Sequence, residues 1–249
     1  MRTYLSLIIF LGLFSQLPAQ ENLAQKAQEH IYKGYSLNIK SEWDKGLKLF
    51  EQAFQASQEG AEVAYQWTLA QYGYIGYCKN TEKCGDLLSI IETAQKRLKK
   101  LIKTKGESSP YSALMGGLIA MEIEMKPAQM MFLGPKCSSY INESVEFDAK
   151  NPRAWVEKGN LRYHAPGIFG GDMEEAIECF KKAIQLFEQD ADLRKYSWQY
   201  LHALAWLGKA YEEEGETDLA IKTYRHALEM EPSFSWVKKE LLPQALSTR

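Results

Sequence analysis

The segment YHAPGIFGGD, Tyr163 to Asp172, holds the densest set of groups that could do chemistry: an imidazole, a carboxylate and three glycines within ten positions. A glycine-rich backbone opening a helix can cradle a phosphate, but that use also needs a Lys and a Ser or Thr at the helix start. Here the helix start carries Asp172, whose charge would repel an anion. Asp172 with Glu175 three residues on instead fits a helix N-cap and its reciprocal carboxylate. His164 and Asp172 could be drawn as an acid–base pair or half of a metal site, yet no further ligand or nucleophile stands at recognisable spacing. His30, His202 and His226 fall on helical patterns and read as structural. There is no nucleophile elbow, paired His–Glu metal motif or dinucleotide fingerprint. These residues imply a non-enzyme with no metal and no cofactor.

The four cysteines depend on the compartment. The N-terminal MRTYLSLIIFLGLFSQLPAQ has one Arg, a short apolar core from Leu5 to Phe14 and then Pro18-Ala19. That is the pattern of a secretory signal peptide, too short for a membrane span of roughly 20 residues. The expected leader is residues 1–19, with the mature chain starting at Gln20; Leu17 is larger than the usual residue three before the cut. No Cys lies near the cut and no second long apolar run follows, so the expectation is a periplasmic or secreted chain with no membrane span after cleavage. An oxidising compartment permits disulfides. Cys78 and Cys84 flank the five-residue loop KNTEK and could meet to close it; two free thiols are the other reading. Cys137 and Cys179 lie inside helical patterns and read as small buried side chains.

The elements that must position all of this are helices. Of 249 residues 45% are apolar, enough for a core spread along the chain, and 32 acidic against 30 basic residues leave a net charge of −2. Nothing asks for a polyanion, so nucleic acid is not an expected partner. EEEGE reads as a solvated turn and KRLKKLIK as the outer face of a helix. The clearest internal unit is YLHALAWLGKAYEEEGETDLAIKTYRHALEMEPSF, residues 200–234, with Leu204, Leu207, Gly208 and Tyr211 on one helix, Ala220, Tyr224 and Ala227 on the next, Gly215 in the turn and Pro232 at the close. This resembles the tetratricopeptide repeat, a 34-residue helix–turn–helix. Gly208 admits the second helix, Ala220 and Ala227 flatten it, the tyrosines fill gaps, and Pro232 stops the helix.

Residues 27–60 repeat the pattern, with Gly34 twelve residues before Gly46 and Phe50 and Ala53 after it. In the unit beginning at Pro152, Gly159 and Ala176 are 17 apart rather than 12, so five residues are inserted between the helices, within YHAPGIFGGD. Residues 61–107 and 108–151 follow the pattern less closely; in the latter, KPAQMMFLGPK reads as a loop between two helices. The expected fold is therefore all-α: a right-handed solenoid of five antiparallel helix pairs over residues 20–249 (units 27–60, 61–107, 108–151, 152–200 and 201–234) with a cap at 235–249, where Pro243 bends or stops the last helix. The Gly-Gly insert also resembles that of periplasmic tetratricopeptide-like components of TRAP-type solute transporters.

The resemblance implies a scaffold that binds a peptide or protein in a concave groove lined by first helices. Mapped here, the groove presents Tyr35 and Asn38, then Arg153, Asn160 and Tyr163, then Lys209. Two inserts carry unassigned apolar residues, Met131 and Phe132 in one and Ile168 and Phe169 in the other. Ile168 and Phe169 are expected to fold back as a plug; projecting as an apolar lip is the alternative. The rival function is a solute-binding accessory of a transport system, with an apolar pocket between the inserts near Phe132 and Phe169.

Overall fold

A computed structural model describes residues 17–79 and 84–248. Among them are twelve α-helices: α1 Leu17–Leu37, α2 Lys40–Ala56, α3 Ala61–Cys78, α4 Leu87–Lys105, α5 Ser109–Met125, α6 Met130–Phe147, α7 Pro152–His164, α8 Met173–Gln189, the short α9 Ala191–Arg194, α10 Trp198–Glu213, α11 Thr217–Met230 and α12 Leu242–Ser247. The described residues contain no strand. The leader expected at 1–19 lies outside the described residues, apart from its last three, which open α1.

Local sequence sets the helix ends. Asp172 accepts from the Glu175 amide at the start of α8, Asp86 from Ser89 at α4, Ser197 from Tyr200 at α10, and Asn151 from Arg153 at α7, each satisfying an orphan donor. Glu175 does not return the bond. It pairs with Arg162 at 2.8 Å and Lys158 at 3.2 Å, so only half of the expected capping box forms. In α8 the buried Ala176, Phe180, Ala183 and Phe187 make one stripe at helical spacing.

The helices pack as consecutive antiparallel pairs: α1/α2, α3/α4, α5/α6, α7/α8 and α10/α11. Close approach within a pair rests on glycine. A Cβ on Gly208 would lie 2.2 Å from the Tyr224 ring, and one on Gly159 would lie 2.6 Å from the Phe180 ring. Two apolar cores result, one over the first three pairs and one over the last two, with Tyr35 packing against both.

The first helices of the pairs, α1, α3, α5, α7 and α10, form the inner layer, and the path returns on itself. The Tyr35 ring sits 5.4 Å from Trp198 and 5.6 Å from Phe234, the Tyr32 ring sits 5.9 Å from Tyr196, and the Tyr32 hydroxyl donates to Glu231 at 2.9 Å. The first unit therefore closes onto the last.

Two expectations change. KPAQMMFLGPK is mostly not a loop: a 3-10 turn, Pro127–Gln129, leads directly into α6, which contains Pro135. Proline cannot make the bond to the residue four back, but here that bond falls near the exposed start of the helix, where its loss costs little. Pro243 does not stop the last helix either. A π-turn, Val237–Leu241, precedes it and continues into α12. The wider turn relieves the clash of the proline ring with the carbonyl four residues back.

Candidate functional site

The inner layer is held by a chain of polar side chains contributed by helices far apart in sequence. The Tyr35 hydroxyl on α1 lies 3.3 Å from His202 Nδ1 on α10, and His202 Nε2 lies 3.0 Å from Asn160 Oδ1 on α7. Asn160 Nδ2 donates to Glu157 Oε2 at 3.3 Å, and the Tyr72 hydroxyl on α3 donates to the same oxygen at 2.7 Å. Glu157 is 2% exposed. Burial pushes its carboxyl up to about 7, against the pull of the bonds from Tyr72 and Asn160. Burial drives His202 the other way, down to about 3, so its ring is neutral and can accept at one nitrogen while donating at the other. Beside this chain Arg153 Nε donates to Gln199 Oε1 at 2.9 Å.

At the end of the inner layer where α3, α5 and α7 finish, the chain opens into an aromatic cluster. Trp206 on α10 is surrounded by four rings: His164 at 4.7 Å, Tyr163 at 4.9 Å, His202 at 5.8 Å and Trp236 at 5.9 Å. Its indole N–H is buried with no acceptor. Lys209 stands 5.6 Å from the Trp206 ring, Tyr163 donates to Glu213 at 3.4 Å, and Lys79 pairs with Glu124. His164 is exposed, yet its surroundings lower its pKa, burial first and the positive charges of Lys79 and Lys209 in addition. The cluster offers stacking surfaces and the imidazoles of His164 and His202, ringed by charges of both signs.

Next to this mouth the inserted turns protrude. Phe132 is 82% exposed, Met131 69% and Ile168 88%, while Phe169 is half-buried. The turn of α7 into α8 is tied down by its backbone: Arg162 Nη1 donates to the Gly170 carbonyl at 2.5 Å and the Asp172 amide to the Arg162 carbonyl at 2.9 Å. The expected plug is therefore corrected for Ile168, which is a lip. Once these bonds fix the turn, its short span holds Ile168 away from the helix pair. Phe132 faces outward, so it does not line an apolar pocket shared with Phe169.

The six residues mapped to a groove fall into three situations. Tyr35 and Asn160, both half-buried, are links in this polar chain, and half-buried Arg153 is engaged beside it. Their polar groups bond to one another across the inner layer because the first unit closes onto the last. Asn38 is exposed and ends α1 with φ +59°, a left-handed turn position that Asn tolerates. Tyr163 and Lys209 stand together at the mouth. Cys78 and Cys84 are disulfide-bonded, while Cys137 and Cys179 are free and buried. The sequence reading singles out none of Glu157, Tyr72 and Trp206, while His202, read as structural, is a link in the polar chain. For Glu157 a signal existed: it shares a helical face with Ala154 and Leu161, so a carboxylate interrupts an apolar stripe.

The model of the tetratricopeptide repeat matches residues 168–190 and 201–234. Those two segments carry the tetratricopeptide repeat. The first is the second half of the fourth unit and the other is the fifth unit, where Gly208 and Tyr224 interlock. Among solved structures, a thermophilic TPR protein of Thermus thermophilus is 16% identical, with a TM-score of 0.60 over 89% of this chain and 99% of that one. The HusA haemophore from Porphyromonas gingivalis is 17% identical, with a TM-score of 0.61 over 76% and 93%. Both share the fold of this repeat protein. No curated protein matches its sequence.

Proposed function

We propose that this repeat protein is an exported, non-enzymatic scaffold that recognises a protein partner at the mouth of its inner layer. The repeat fold supports an interaction role in general. The observation that carries the finer reading is the half-buried cluster of Tyr163, Trp206 and Trp236 beside exposed His164 and half-buried Lys209. Tyr and Trp dominate the energetics of protein interfaces, and an interior already bonded to itself leaves the mouth as the accessible part of the inner face. The test is a photo-crosslinking residue at position 163, with one at Lys182 on the outer α8 as control. A defined adduct from 163 alone supports the reading; equal labelling from both positions, or none, defeats it. Export rests on the N-terminal pattern, and the N-terminal sequence of the chain recovered outside the cytoplasm should begin at Gln20.

A second reading, an exported solute binder, is favoured by the unpartnered indole N–H of Trp206 beside the exposed imidazole of His164. Haemin is the first probe, since a haemophore shares the fold. Saturable quenching of tryptophan emission that Trp206→Phe abolishes would support this reading over the first.

A further inference from the structure

We propose that the inserted turns of the third and fourth units form a lip that seats the protein on an anionic lipid bilayer. Met131, Phe132 and Ile168 are the three most exposed large apolar side chains among the described residues. Met131 and Phe132 stand on the first turn of α6, just after the end of α5, and Ile168 on the 3-10 turn that follows α7. The ends of α3, α5 and α7 lie together, because Lys79 pairs with Glu124 and His164 feels the charge of both. The two turns therefore project from one end of the molecule.

Shape and charge favour lipid over a protein groove. The side chains stand on two separate turns, Met131 and Phe132 side by side on one and Ile168 on the other, as wedges suited to a soft medium, and do not line a surface with a fixed complement. Residues 125–138 carry Lys126 and Lys136 and no carboxylate, and the other turn runs from Arg162 and His164 to Asp172 before it meets an acid. Asp172 is already engaged as the cap of α8, Glu124 is paired with Lys79, Lys126 lies 3.9 Å from both Glu92 and Glu122, and Arg162 pairs with Glu175, so Lys136 is the lysine beside the lip that is left to meet a headgroup. Apolar side chains inserted at the headgroup level, with lysines beside them, are how peripheral proteins hold anionic membranes. The turn of the fifth unit, with Glu213, Glu214 and Glu216, bounds this footprint, so contact falls on the third and fourth units. No described helix is long and apolar enough to cross a membrane, so the attachment is to the surface.

The test is co-sedimentation of the intact chain with vesicles of phosphatidylcholine, with and without phosphatidylglycerol. The wild type should bind the phosphatidylglycerol vesicles, and added salt should weaken it. Met131→Ser/Phe132→Ser/Ile168→Ser should bind at least about tenfold more weakly, with helical circular dichroism unchanged, because the apolar insertion is gone. Lys126→Glu/Lys136→Glu should lose the preference for phosphatidylglycerol while keeping the fold. Failure of the wild type to bind, or equal binding by the triple variant, overturns the proposal. So does a dimer in lipid-free sedimentation that the triple variant abolishes, which would assign the lip to a second copy of the chain. The result is independent of what binds at Tyr163 and Trp206.

Discussion

Replacing Glu157 with Gln should stabilise the protein at pH 8 and leave it nearly unchanged at pH 5. The carboxyl is 2% exposed, and burial raises it from 4.5 in the unfolded chain to about 7 in the folded one. A raised acid binds its proton more tightly when folded. Its contribution is therefore fully present below pH 4.5, shrinks as pH climbs through the window to about 7, and is a net cost above it. A shift of that size corresponds to about 3 kcal/mol between the two ends of the window. Gln keeps an oxygen for the Tyr72 hydroxyl at 2.7 Å and for Asn160, and carries no charge at any pH. His202 titrates in both proteins alike, so its effect cancels in the difference between them. Urea denaturation followed by circular dichroism at the two pH values should show near parity at pH 5 and a gain of about 2 kcal/mol for Glu157→Gln at pH 8. An equal difference at both pH values, or a loss at pH 8, would refute the claim that an enclosed carboxylate joins α3 to α7.

Gly208→Ala should destabilise by about 1–3 kcal/mol in thermal or urea unfolding, because its Cβ would lie 2.2 Å from a Tyr224 ring that is itself wholly enclosed. Ile168→Ser should change stability by less than about 0.5 kcal/mol, since the side chain is 88% exposed; a loss of several kcal/mol would restore the plug. Cys78→Ser/Cys84→Ser should cost about 2 kcal/mol in oxidising buffer and nothing under reducing conditions, since the bond closes a loop of sequence separation 6.

Local rules made the helix pairs legible. The spacing of Gly208, Ala220 and Tyr224 and the Asp172 cap involve residues close in sequence and formed, the cap without its return bond from Glu175; of the two readings left open for Cys78 and Cys84, the disulfide is the one present. The inner face was not legible for a geometric reason. Whether Tyr35 meets His202, 167 residues away, depends on small rotations between units that add up along the whole chain, and no local pattern encodes that sum. An open groove and a closed inner layer have the same repeat signature. KPAQMMFLGPK misled because two prolines and a glycine usually mark a loop. Here Pro127 opens a 3-10 turn and Pro135 falls near an exposed helix start, both places that tolerate it.

The central claim is that the first unit closes onto the last and ties the inner helices into one layer. Small-angle X-ray scattering of the chain from residue 20 tests it most directly. A closed chain of 230 residues (20 to 249) should have a radius of gyration of about 17–18 Å, the value for a compact domain of that length. A value above about 22 Å would mean an open superhelix, with Tyr32 and Glu231 apart and the concave groove free to take a peptide.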